Sequence, residues 1–186
     1  DVVAIRLENQ VDVICSMLAC LKIGSVYVYI NSNFPDSFQD YMILDSKAKI
    51  VLKELPKFAN EQLEYKNFNF HDDELAYIMY TSGTTGVSKG VGVSRCALNN
   101  YIEHCVNNYF ISASNDVLLH GSLSCDMPIT TIFPSLYLGK RIFILNQDFT
   151  EYSLKFHKDK FALAKVTPSH IRLMMKFNKM DLLNFT

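Results

Sequence analysis

Neither charge sign dominates this 186-residue sequence: 18 Lys and Arg stand against 19 Asp and Glu, a formal net charge of −1. Without a basic excess there is no electrostatic footprint for nucleic acid, and without an acidic block there is no solvating tail. Long apolar runs are missing as well. The longest, near Val26–Ile30 and Leu75–Tyr80, fall far short of the ~20 residues of a membrane-spanning helix. Partners of either kind, nucleic acid or membrane, are therefore not expected. No CxxC pair occurs among Cys15, Cys20, Cys96, Cys105 and Cys125, and no His lies at ligand spacing from another. That leaves no zinc knuckle, no disulfide framework and no metal site to expect. Such cysteines read as reduced, partly buried thiols of a cytoplasmic protein. No signal peptide is visible, in a chain that opens on Asp1 rather than Met.

What is present suits a folded chain. Hydrophobic residues make up 49% and charged residues 20%, which argues against disorder. The length allows about one compact unit. Val2–Leu7 alternates like a strand. Asn9 caps a helix whose apolar face uses Val11, Ile14, Cys15, Leu18 and Leu21, with Gly24 as its stop. Val26–Ile30 is strand-like and ends in the turn Asn31–Pro35. A helix over about Asp36–Ser46, resting on Phe38, Met42 and Ile43, leads to a short strand at Lys49–Leu52. Lys53–Asn69 has no clear pattern, and His71–Glu74 reads as a solvated acidic turn before the strand Leu75–Tyr80. Further strands are expected at Val91–Ser94, Asp116–His120, Arg141–Leu145 and Phe161–Val166. Helices fall at Cys96–Asn108, about Pro128–Leu138 with Gly139 as the stop, Tyr152–His157, and from Pro168 to about Lys179. Thr167 and Pro168 form the cap and first residue of the last one. Strands alternating with helices predict a three-layered α/β fold, largely parallel sheets flanked by helices.

Glycine is scarce, with seven in the chain, yet Gly83, Gly86, Gly90 and Gly92 crowd into ten residues. This points to a backbone requirement that only glycine meets easily. The stretch runs Tyr80-Thr81-Ser82-Gly83-Thr84-Thr85-Gly86-Val87-Ser88-Lys89-Gly90. Backbone N–H groups, the hydroxyls of Ser82, Thr84 and Thr85, and the Lys89 cation are the chemistry that holds a polyphosphate. The spacing is not that of a Walker loop, since two residues separate Gly83 from Gly86 and Lys89 is followed by Gly90. It is not the G-x-G-x-x-G of a dinucleotide fold either. A flexible polar surface loop is the plain alternative.

This string resembles the signature Y-T-S-G-T-T-G-x-P-K-G of the adenylate-forming (AMP-binding) enzyme superfamily, with Ser88 in the place of the proline. Leu21–Asn31 is similar to the L-K-A-G-x-A-Y-V-P-I-D of the amino-acid adenylation domains of nonribosomal peptide synthetases. Ser124-Cys125-Asp126-Met127-Pro128-Ile129-Thr130 aligns with a substrate motif of core F-D-x-S-V/I, and Val166–Ile171 resembles L-T-P-S-H-L. The four matches come in order and cover nearly the whole chain.

The resemblance implies ATP-dependent activation of a carboxylate as an acyl-adenylate, which then passes to a phosphopantetheine thiol on a carrier protein. It implies that Thr81, Ser82, Gly83, Thr84, Thr85, Gly86 and Lys89 enclose the β- and γ-phosphates, Lys89 and Thr81 serving the chemical step, and that Mg2+ accompanies ATP. The Asp of F-D-x-S binds the substrate α-ammonium in that family, and Asp126 holds its position. A buried carboxylate facing a cation would compensate that cation's desolvation. Met127, Thr130 and Lys165 would line the side-chain pocket. The series Asp, Met, Thr, Lys is similar to that of aspartate- and asparagine-activating domains, so aspartate or asparagine is the expected substrate, with neighbouring synthetase domains as partners.

Each residue also has a plain structural reading. Asp126 before Met127-Pro128 is an ordinary helix cap, Lys165 a solvated strand end, Thr130 a packing residue and Lys89 a loop cation. His170 reads as a helix-start surface residue. Departures from the family pattern are Ser88 for proline, Cys125 for an aromatic, Tyr29 for proline, Asn31 for aspartate and Arg95 for histidine. The chain ends at Thr186, before the family's adenine and ribose motifs, its hinge and its C-terminal lobe. Residues 1–186 therefore read as part of the large N-terminal core domain, with the C-terminal lobe absent and full activity not expected of this stretch alone. Two alternatives stay open: an acyl-CoA synthetase of the same superfamily, and a non-catalytic adenylation module acting as a binding or scaffold unit.

Overall fold

The computed structural model describes residues 1–56, 70–81, 88–110, 116–145, 161 and 163–176. The expected helix at Tyr152–His157 and the end of the last helix beyond Lys176 lie outside them. The chain divides into two units, residues 1–99 with 123–125, and residues 100–122 with 126–186; the division falls inside one helix.

The first unit contains β1 (Val2–Ile5), α1 (Gln10–Lys22), β2 (Val26–Tyr29), α2 (Asp36–Asp45), β3 (Ile50–Leu52), β4 (Leu75–Thr81) and β5 (Lys89–Ser94). Its sheet runs β3-β1-β2-β4-β5. All neighbours are parallel except the β4–β5 hairpin. The step from β1 to β2 moves one way along the sheet and the step from β2 to β3 moves back across β1. Right-handed crossovers therefore put α1 and α2 on opposite faces. Side chains divide accordingly, with the period of two that a pleated strand imposes. Ala4, Val28 and Ile30 meet Met42 of α2, while Tyr27, on the other face, stacks on Tyr77 at 5.5 Å and lies near Cys20 of α1. Ile5, Tyr27, Ile30 and Met42 are fully buried, each contributing about 1.5–3 kcal/mol of transfer free energy.

Helix α1 starts where Asn9 was expected to cap it: Asn9 Oδ1 accepts from the Val11 and Asp12 amides at 2.8 and 3.3 Å. It stops at Gly24, whose φ is +77°. There the Ser25 amide donates to the Cys20 carbonyl at 2.9 Å and the Gly24 amide to Leu21 at 3.4 Å, the paired bonds of a Schellman end. The buried face of α1 is not the expected one. It consists of Val13, Ile14, Ser16, Met17 and Cys20, while Val11 and Leu18 are exposed and so is Cys15. Apolar residues run most of the way round this helix, so periodicity alone fits more than one stripe. Ser16 tolerates burial because its hydroxyl donates to the Asp12 carbonyl at 2.8 Å.

Helix α3 (Arg95–Tyr109) leads into the second unit, which holds β6 (Asp116–His120), α4 (Met127–Tyr137), β7 (Arg141–Leu145), β8 (Leu163–Ala164) and α5 (Pro168–Lys176). Its sheet is β7-β6-β8, parallel throughout. At the sheet's entrance Arg141 donates to both oxygens of Asp116, at 2.7 and 2.9 Å. Helix α4 ends at Gly139 with the same pair of closing bonds as α1, Lys140 amide to Ser135 at 2.8 Å and Gly139 amide to Leu136 at 3.1 Å. None of the five cysteines is in a disulfide; Cys20 and Cys105 are buried and the others exposed.

Candidate functional site

In the first unit the glycine-rich string straddles the β4–β5 hairpin. Ser82, Gly83, Thr84, Thr85 and Gly86 lie outside the described residues. The two ends of the string are described: Thr81 closes β4, Lys89 opens β5, and they are cross-strand partners, so both side chains point to one face of the hairpin. Thr81 and Lys89 are exposed. Two of the four crowded glycines belong to β5 rather than to the loop. A Cβ on Gly90 would come within 3.2 Å of Ile78 and the Tyr80 ring, so glycine is needed there for close approach rather than for an unusual φ.

Helix α2 holds this hairpin through two tyrosines. The Tyr41 hydroxyl donates to the Ser88 carbonyl at 2.8 Å, and Tyr80 donates to Asp45 at 2.6 Å and to the Met42 carbonyl at 3.3 Å. Burial, and then its bond to Asp45, push the Tyr80 phenol well above its ordinary range. Tyr41 thus restrains the backbone at Ser88, the position where the family signature has proline. Arg95 is also structural: its guanidinium donates to the Leu21 carbonyl at the end of α1 at 3.0 Å and lies 4.3 Å over the Phe70 ring. Among the described residues no cluster of three or more His, Cys, Asp or Glu is arranged to hold a metal ion.

In the second unit Asp126, Met127 and Thr130 share the start of α4. Asp126 occupies the N-cap position with helical backbone angles, and its carboxylate does not cap the helix. The capping reading of this residue is therefore not what the structure displays, and its side chain is exposed rather than buried. Met127 is half-buried. Thr130 is buried, 3% exposed.

Lys165 follows β8, where the pairing of Val117 with Leu163 and of Leu118 with Ala164 carries the chain alongside β6. The ring of the buried His120 bonds to the Lys165 carbonyl. Burial lowers the affinity of His120 for a proton; its bond to Lys165 opposes this and the neighbouring His170 adds to it. Lys165 Nζ donates to Thr130 Oγ1 at 2.7 Å. Two side chains 35 residues apart in sequence are thus in direct contact.

His170 completes a capping box at α5. Thr167 Oγ1 accepts from the His170 amide at 3.3 Å, and His170 Nδ1 accepts from the Thr167 amide at 3.1 Å. The imidazole fills the role usually taken by Glu or Gln. Sequence reasoning missed Tyr101 of α3, whose hydroxyl lies 2.7 Å from Thr130 Oγ1. Its spacing of four from Cys105 puts both on one side of α3, the one signal that marked the pair.

The model of the AMP-binding enzyme family matches residues 1–67 and 53–184. Bacitracin synthase 3 of Bacillus licheniformis is 32% identical over 191 residues, covering 93% of this chain and 3% of that protein. The N-terminal subdomain of NpsA from Klebsiella oxytoca, solved with 3-hydroxyanthranilyl-AMSN, superposes with a TM-score of 0.82 at 20% identity, over 98% of this chain and 50% of that one. The o-succinylbenzoate CoA synthetase MenE of Bacillus subtilis, in complex with its acyl-adenylate intermediate, gives 0.76 at 19% identity, over 95% and 51%. The chain thus spans half the length of these two solved structures and a small fraction of the synthase.

Proposed function

The chain belongs to the AMP-binding enzyme family, and from that premise we propose that it is part of an amino-acid adenylating ligase of the nonribosomal peptide synthetase type. In this reading a carboxylate oxygen of aspartate or asparagine attacks the α-phosphorus of ATP, the bond to the bridging oxygen breaks, and pyrophosphate leaves. The sulfur of a phosphopantetheine thiol on a carrier protein then attacks the acyl carbon of the aminoacyl-AMP, the thiol gives up its proton, and AMP leaves as the aminoacyl thioester forms.

The observation that carries the substrate choice is the hydrogen bond from Lys165 to Thr130. It holds one N–H of a half-buried ammonium and leaves the others for a side-chain carboxylate or amide oxygen. Asp126, not engaged in capping α4, supplies an anion for the α-ammonium. An acid without an α-ammonium has no use for that carboxylate, which favours an amino-acid substrate over the acyl-CoA synthetase alternative. For the phosphates the chain offers the Lys89 cation and the Thr81 hydroxyl on one face of the hairpin, where they would neutralise developing charge. Magnesium would arrive with ATP and screen the same charge.

The test is amino-acid-dependent ATP–pyrophosphate exchange by the full-length protein with all twenty amino acids. Exchange should peak with aspartate or asparagine, and Lys165→Ala should lower kcat/KM for it by about 10- to 100-fold, the worth of a charge-assisted hydrogen bond. A variant that keeps the full preference removes Lys165 from the pocket. Absence of exchange with every amino acid would favour the non-catalytic module.

A further inference from the structure

Three side chains of the second unit form one hydrogen-bonded row. Lys165 Nζ donates to Thr130 Oγ1 at 2.7 Å, and the same oxygen lies 2.7 Å from the Tyr101 hydroxyl. Donor counting gives the row its direction. An ammonium can only donate, so Thr130 accepts from Lys165. Thr130 is buried, where an unplaced proton is costly. Of the two groups that meet its oxygen only Tyr101 can accept, so the Thr130 proton goes to Tyr101. Tyr101 itself is exposed, so its own proton can meet water. The opposite polarity, Tyr101 donating to Thr130, would leave the buried Thr130 proton without this acceptor.

We propose that Tyr101 is a positioning residue for amino-acid selection: by taking the Thr130 hydroxyl proton it keeps the Thr130 lone pairs turned toward Lys165, and so aims the Lys165 ammonium at the side chain of the bound amino acid. The inference rests on the reading of Thr130 and Lys165 as the side-chain pocket. Its physical content is entropic. A threonine hydroxyl without a fixed acceptor rotates, and a lysine without a fixed acceptor spreads over many rotamers. With Tyr101 in place both are held before substrate arrives, which is how preorganisation raises affinity.

Tyr101→Phe keeps the ring and removes only the hydroxyl. In the full-length protein, pyrophosphate exchange is measured for wild type, Tyr101→Phe, Lys165→Ala and the double variant, on whichever amino acid wild type uses best. Tyr101→Phe should raise KM for that amino acid about tenfold, the size of one charge-assisted hydrogen bond, while kcat and the KM for ATP stay within about twofold. In the Lys165→Ala background the same change should have no further effect, since the interaction it acts through is gone. An equal loss in both backgrounds, or no loss in either, overturns the proposal. If the preferred amino acid is neither aspartate nor asparagine, the substrate reading falls and the cycle still decides the role of Tyr101. Pulse acetylation with acetic anhydride gives a readout that needs no turnover. Lys165 labelling should rise in Tyr101→Phe relative to the other lysines of the same molecule, and unchanged labelling overturns the proposal even in a protein without exchange activity.

Discussion

Replacing Gly24 with alanine should cost the first unit about 3 kcal/mol, a sum that the local geometry supplies. The residue sits at φ +77°, where an L side chain costs roughly 1–2 kcal/mol. The added Cβ would lie 2.2 Å from Phe70 Cε1 and 2.8 Å from Cδ1. Carbon atoms rest about 3.5–4.0 Å apart, so the Phe70 ring must move by more than ~1 Å. Arg95 lies over that ring at 4.3 Å, and losing a cation–π contact costs about 0.5–1 kcal/mol at a part-exposed site. Forcing the ring off its rotamer adds about 0.5–1.5 kcal/mol. Equilibrium unfolding in urea reads the outcome as a midpoint lowered by about 1–3 M for a slope of roughly 1–3 kcal/mol per molar. The double variant Gly24→Ala/Phe70→Ala should recover the ring-clash share relative to Phe70→Ala alone, leaving only the backbone cost. A loss below about 1 kcal/mol in the single variant, on this same scale of backbone strain, would refute the reasoning, as would strict additivity of the two substitutions.

Two further outcomes can be checked directly. His120 is buried and held below its ordinary value of 6.5, chiefly by burial; the unfolded chain therefore binds a proton that the folded chain resists. The stability this contributes is complete above pH 6.5 and is lost as pH falls from there toward the folded value. The urea midpoint of wild type should drop over that interval more steeply than that of His120→Gln, and parallel profiles would remove His120 as the cause. Tyr41→Phe deletes the bond to the Ser88 carbonyl while keeping the ring that stacks on Phe38 and meets Tyr80 edge-on. It should raise the KM for ATP about fivefold, the worth of one neutral hydrogen bond, with melting temperature little changed; an unaltered KM would separate α2 from the proposed phosphate site.

Local chemistry made much of the fold legible. Asn9 and Gly24 mark the ends of α1, Gly139 the end of α4, and Thr167-Pro168 the start of α5, because caps and stops depend on a few adjacent residues. The strands Asp116–His120 and Arg141–Leu145 occupy the expected residues. The face of α1 was not legible, since apolar residues surround most of that helix and the sheet chose among them. Of the candidate site, the sequence pointed to Thr81, Lys89, Asp126, Thr130 and Lys165. It did not reveal Tyr101 or the roles of His120 and Arg95.

Residue order by itself determined the family signature, the glycine requirement around Lys89, the helix caps and the alternation of strands with helices. These depend on backbone geometry and on side-chain chemistry within a few positions. The tertiary structure alone decided that Lys165 meets Thr130, that Tyr101 stands behind both, and that Tyr41 holds Ser88. Those contacts join residues 35, 29 and 47 positions apart. Parallel pairing and helix packing bring them together, and no local rule of capping, period or turn can encode a neighbour at that distance.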